Sequence, residues 1–164
     1  MSYVLVNVSD GSREFRINYM GWMTLRWLLV GAGWEPKGAT GHEDTQTGEP
    51  VTVPSDTFSD RWCSYEGCSF QLVCAEDAGG MAMAAHHGIM LCESNPEGTF
   101  DYFRKIWSTV LCDRDRATDR RFIHPEHEWT AEYTPENCRK VIAHVKGLLQ
   151  EFAEFAAQGE FYID

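Results

Sequence analysis

The sequence predicts an α+β domain: a small antiparallel sheet, formed by an N-terminal hairpin and a short C-terminal strand, packed against about four helices. Three observations carry this. Two β-rich runs flank Asp10-Gly11, later stretches repeat apolar residues at helical spacing, and Phe161-Tyr162-Ile163 is long enough for one terminal strand. The 164 residues suit a single domain, 1–164, and 43% hydrophobic with 13% aromatic side chains supplies the material for a core.

In chain order, Tyr3 to Val8 reads as a strand. Glu14 to Tyr19 alternates Phe15, Ile17 and Tyr19 against Arg16 and Asn18. The Asp-Gly dipeptide between the runs suits the positive φ angles of a tight hairpin turn. Residues 21–32 read as a helix bearing Trp22, Leu25, Leu28 and Leu29, with Gly31 and Gly33 as stops. After the Glu35-Pro36-Lys37-Gly38 turn, residues 39–60 lack an apolar period and read as a long acidic loop, with Val51-Thr52-Val53 as a short edge strand inside it.

Residues 75–92 form the next helix, with Glu76 and Asp77 in its first turn, where the helix dipole favours negative charge. Its apolar side is Met81, Ala84, Ala85, Ile89 and Leu91, and Gly79-Gly80 weakens its start. Beyond Asn95-Pro96-Glu97-Gly98, Thr99 is expected to cap a helix with the stripe Phe100, Phe103, Trp107, Val110 and Leu111. In the last helix Thr134 is the N-cap, Pro135 the first residue, and Val141, Val145, Leu148, Phe152 and Phe155 the core face, widened by Ile142, Leu149 and Ala156. Gly159 ends it.

Charge is unevenly distributed. Between Gly38 and Phe103 eleven acids meet one base, Arg61, so this stretch carries −10 of the net −11. Such a segment repels nucleic acid and anionic membrane and draws in cationic partners. Direct nucleic-acid binding is also disfavoured because the one basic concentration, Arg114, Arg116, Arg120 and Arg121, is interleaved with Asp113, Asp115 and Asp119. The opening residues lack the positive n-region of a secretory leader. The longest apolar run, Trp27 to Trp34, is far below the ~20 residues that span a bilayer, so a cytoplasmic protein is expected. In that setting Cys63, Cys68, Cys74, Cys92, Cys112 and Cys138 read as free thiols, with no Cys-x-x-Cys pair among them.

Catalytic signatures are sparse. His124 and His127 flank Glu126 and are the candidate metal ligands. Their spacing is not that of His-Glu-x-x-His, and Pro125 disfavours a helix through His124, so a polar loop is the plainer reading and no metal or cofactor is expected. His86 and His87 point about 100° apart on a helix and do not readily chelate one ion; one is expected partly buried, the other in solvent. Cys74, before Ala75-Glu76-Asp77, sits near a helix N-terminus, which favours a thiolate. No phosphate-binding glycine motif occurs.

Two stretches resemble a group of small, largely uncharacterised bacterial proteins. One is Gly33-Trp34-Glu35-Pro36-Lys37-Gly38-Ala39-Thr40. The other is Tyr65 followed by Gln71-Leu72-Val73-Cys74-Ala75-Glu76-Asp77-Ala78. They match the group's Gly-Trp-x-Pro-x-Gly-Thr turn and its Tyr…Gln-x-Val-x-x-x-Asp-Ala helix entry over about half the chain. Cys68-Ser69-Phe70 replaces the group's Asn-Asp-Gly. The resemblance implies a compact α/β scaffold and carries no activity.

The first functional expectation is therefore a non-catalytic acidic binding protein that neutralises or inhibits a basic protein partner, as an immunity-type protein or a phage-type inhibitor. Glu43, Asp44, Glu49, Asp56, Asp60 and Glu66 would supply charge, and Trp62 and Tyr65 apolar contact unless they are core residues under the loop. The alternatives are an enzyme using the Cys74, His86 and Asp77 neighbourhood or the His124 and His127 pair, and a housekeeping domain without a partner surface.

Overall fold

A computed structural model describes residues 2–41, 61, 62, 65, 71–106 and 134–164. Strands β1 (Ser2–Asn7) and β2 (Glu14–Asn18) form the hairpin, and helix α1 (Tyr19–Gly31) follows directly. Then come β3 (Thr40–Gly41), β4 (Gln71–Val73), helix α2 (Ala75–Ser94), a helical segment over 96–106, helix α3 (Pro135–Ala156) and β5 (Phe161–Ile163). The fold is α+β. Its sheet is antiparallel throughout, in the order β2-β1-β5-β4-β3.

Sheet register follows side-chain burial. Leu5 is opposite both Phe15 and Ile163, and Phe161 is opposite Asn7 and Val73. All of these are buried, so one face carries the core. Val4, Val6, Leu72 and Tyr162 point the other way and are half-buried. Helix α3 lies on the core face. Phe152 meets Phe15, Trp22, Phe155 and Phe161 at centroid distances of 5.4, 6.1, 6.4 and 6.3 Å. One aromatic ring thereby joins two strands and two helices.

The hairpin pairs as expected but turns differently. Gly11 is not among the positive-φ glycines, so the tight Asp-Gly turn is absent. Asn7 organises a longer loop: its Oδ1 accepts from Ser9 N, Ser9 Oγ and Asp10 N at 3.0, 2.7 and 2.9 Å. Tyr19 belongs to α1 instead of β2. Asn18 caps that helix, its side chain accepting from Gly21 N at 2.7 Å.

Two further corrections concern α2 and its successor. The buried side of α2 holds the expected Met81, Ala84 and Ala85 together with Ala78, Ala82, Gly88 and Cys92, whereas Ile89 and Leu91 are only half-buried. A Cβ on Gly88 would stand 2.8 Å from Leu149 Cδ1, so this glycine sets how closely α2 and α3 approach. Thr99 lies inside the next helix. The cap is Asn95, whose Oδ1 accepts from Gly98 N at 3.2 Å, while Thr99 Oγ1 donates to Asn95 O at 2.9 Å. In α3 the expected start holds: Thr134 Oγ1 accepts from Asn137 N at 3.1 Å and Pro135 opens the helix. Leu148 is half-buried at the edge of the anticipated face. Val51-Thr52-Val53, Trp107, Val110 and Leu111 lie outside the described residues, as does most of the 39–60 stretch.

Candidate functional site

The conspicuous polar centre is a buried carboxylate. Helix α1 ends in a Schellman motif: Gly33 N donates to Val30 O at 3.0 Å, Trp34 N to Leu29 O at 2.9 Å, and Gly33 takes φ 106°. The reversal aims Trp34 at the first turn of α2. Trp34, Pro36 and Gly38 then face inward while Glu35 and Lys37 face solvent. Asp77, 1% exposed, receives the turn. It accepts from Trp34 Nε1 at 3.2 Å, from Lys37 N at 3.1 Å and from Gly38 N at 3.2 Å. Gly38 has φ 108°, and its N–H beside that of Lys37 makes a small backbone nest for the anion. The Tyr65 hydroxyl donates the fourth bond, to Asp77 Oδ2.

Gly80, one turn after Asp77, seats the Trp34 indole. A Cβ there would lie 3.2 Å from Trp34 Cδ1. The Gly79-Gly80 pair, unfavourable for helix propensity, thus includes a position that needs no side chain.

A second cluster sits on α1. Arg26 is fully buried; its Nη1 donates to Trp62 O at 2.9 Å, and its guanidinium lies 4.3 Å from the Trp62 ring and 5.8 Å from that of Trp22. Trp27 packs on Trp62 at 4.4 Å, and Trp22 Nε1 donates to Tyr65 O at 3.0 Å. Trp62 and Tyr65 are therefore core residues, 6% and 0% exposed, and not the apolar surface contacts suggested beside the acidic residues. Burial of so many rings around one hydroxyl also raises the Tyr65 pKa, with the adjacent Asp77 charge adding to desolvation.

These contacts anchor two described residues, Trp62 and Tyr65, within one stretch of sequence. That stretch leaves the sheet at Gly41 and returns at Gln71, its register partner. In between, Trp62 and Tyr65 are held by α1 and by Asp77. Asp77 binds Gly38 on one side of the stretch and Tyr65 within it, so a single carboxylate ties both together. Glu43, Asp44, Glu49, Asp56, Asp60 and Glu66 belong to this stretch and lie outside the described residues, as do His124 and His127.

No protein-family model, curated protein or solved structure matches this chain.

Of the enzymatic alternative, His86 is not brought to Cys74 and Asp77. Asp77 points into the core, saturated by donors, whereas His86 is exposed nine residues further along α2. Nine residues are about 13 Å of axial rise and half a turn out of phase. Cys74 is a half-buried free thiol at the N-cap of α2 and makes no side-chain capping bond. Both His86 and His87 are exposed, where one was expected partly buried. Among the described residues no group of three His, Cys, Asp or Glu side chains is placed to hold a metal, and no helix is long and apolar enough to cross a membrane.

Sequence reasoning placed Asp77 at a helix start but missed its four donors, and it missed Arg26 altogether. The available signal was Arg26 itself, a lone charge within Trp22 to Trp34. The Tyr65 environment has a measurable consequence. With a folded pKa above its unfolded value near 10, the unfolded chain loses this proton first, so stability falls as pH rises above about 10, by up to about 1.4 kcal/mol per pH unit. The wild-type minus Tyr65→Phe difference in unfolding free energy, measured from pH 8 to 11, should be flat at first and then decline. A difference that stays flat throughout would contradict it.

Proposed function

We propose that this chain is a non-catalytic acidic binding protein that neutralises or inhibits a basic protein partner in the cytoplasm, in the manner of an immunity-type or phage-type inhibitor. Glu43, Asp44, Glu49, Asp56, Asp60 and Glu66 are the contact charges. The observation that carries this reading is the anchoring of Trp62 and Tyr65 to α1 and Asp77, because the sequence around them, between Gly41 and Gln71, holds six acids and one base. Binding segments are commonly displayed in this way by rigid scaffolds.

The charge elsewhere supports it. Among the described residues six acids stand beside a base: Asp10 with Arg13, Glu14 with Arg16, Glu76 with Lys37, Glu93 with Lys146, Asp101 with Arg104 and Glu136 with Lys140. Exposed pairs of this kind stabilise little, but they cancel the local field. Residues 42–70, with six acids and one base, carry −5 of the net −11.

The test replaces Glu43, Asp44, Glu49, Asp56 and Asp60 together by Ser, after confirming an unchanged melting transition. Immobilised wild type should retain a basic protein from native-host lysate and release it as salt rises. The variant should bind that protein at least about tenfold more weakly. Retention that ignores both salt and the five substitutions refutes the electrostatic reading, as does a wild type that retains no basic protein.

A further inference from the structure

Helix α2 turns one face to solvent that the acidic stretch does not explain. Met83 and Met90 are 75% and 64% exposed, among the most exposed large apolar side chains of the described residues. They are not scattered. They stand four residues before and three residues after His87, which is also exposed. On an α-helix these offsets place all three within an arc of about 60°, with His87 about 6 Å along the axis from Met83 and about 4.5 Å from Met90. Methionine has three flexible side-chain torsions, so thioethers at those offsets can converge on the imidazole between them.

The imidazole is already oriented. His87 Nδ1 lies 2.7 Å from Ala32 O, at the end of α1. A carbonyl only accepts, so Nδ1 carries the proton and a neutral ring keeps its lone pair on Nε2. A histidine whose second nitrogen is tied to a backbone carbonyl is the usual arrangement of a metal ligand, because the outer bond fixes both tautomer and ring direction.

We propose that Met83 Sδ, His87 Nε2 and Met90 Sδ bind one soft monovalent d10 cation, Cu(I) or Ag(I), in a three-coordinate site on the outer face of α2. Two thioethers and one imidazole, with no carboxylate among them, disfavour Mg²⁺, Ca²⁺ and Zn²⁺ and suit a soft cation. His86, three residues after Met83 and four before Met90, shares an arc of similar width with both methionines, and the hydrogen bond from Nδ1 to Ala32 O is what selects His87. The described thiols are also elsewhere. Cys92 is buried, and Cys74 is thirteen residues from His87, about 20 Å along the helix.

The experiment uses the full chain with methyl-13C-labelled methionine under anaerobic conditions, titrated with Ag(I) until it exceeds all six cysteines. The six methionine methyl signals report the site directly, whatever the thiols take up. The Met83 and Met90 methyls should shift together and saturate, while those of Met20, Met23 and Met81 stay in place. His87→Gln should weaken the effect by about tenfold or more, and His86→Gln by less than about twofold. Still Met83 and Met90 methyls in excess Ag(I) would overturn the proposal. So would shifts that survive His87→Gln unchanged, or that His86→Gln weakens equally.

Discussion

Asp77→Ala is expected to destabilise this protein by about 3–5 kcal/mol. The substitution removes the acceptor of four donors, Trp34 Nε1, Lys37 N, Gly38 N and the Tyr65 hydroxyl, in a place that water does not reach. Each donor left unsatisfied costs its desolvation, and the lost charge-assisted bonds add to this. Asp77→Asn keeps the shape and one acceptor oxygen but turns an NH₂ group toward the remaining donors, so it should still cost about 2 kcal/mol. Urea unfolding followed by tryptophan fluorescence reads both, since Trp34 and Trp62 lie in the affected region. A loss under about 1 kcal/mol for Asp77→Ala would show that the turn closes without its carboxylate.

Phe152→Ala should be comparably severe, about 3–5 kcal/mol. The ring is fully buried, edges against Phe15 of β2 and Phe161 of β5, and lies tilted against Trp22 of α1. Its partners belong to separate elements that are rigid in themselves, so the space cannot collapse without moving a helix off the sheet. Phe152→Leu refills most of the volume and should cost less than half as much. Equal losses for the two variants would mean that the edge-on aromatic geometry, and not the volume, is what matters at this position.

Local signals in the sequence specify structure where they are strong. Thr134, Pro135 and the apolar stripe of α3 are all recorded within one segment, and they mark that helix almost to the residue. The five-stranded sheet was only half legible. Gln71–Val73 and Thr40–Gly41 are too short to show alternation, and they exist as strands because β5 and each other's backbones complete them. Asp10-Gly11 marked the hairpin but not its turn, because Asn7 offers a side-chain acceptor that a longer loop can use.

The polar centre was harder to see for the same reason. Asp77 has a sufficient local explanation in the helix dipole, so nothing in its neighbourhood announces donors from some forty residues earlier. Arg26 reads as a solvent-facing interruption of α1 until Trp62, thirty-six residues away, comes to cover it. Trp62 and Tyr65 carry equal chemistry in a core and on a surface, and only their partners distinguish the two.

The strand order has a consequence for how the molecule comes into being. β5, latest in the chain, occupies the middle of the sheet, with the hairpin on one side and the β4–β3 pair on the other. During synthesis those two halves have no shared ladder until residues 161–163 have cleared the ribosome. Before then Gln71–Val73 lacks its central neighbour. Formation of the sheet is thus a late, long-range event. A nascent chain shortened by its last few residues would carry nearly all of the negative charge and lack the strand that joins the two halves of the sheet.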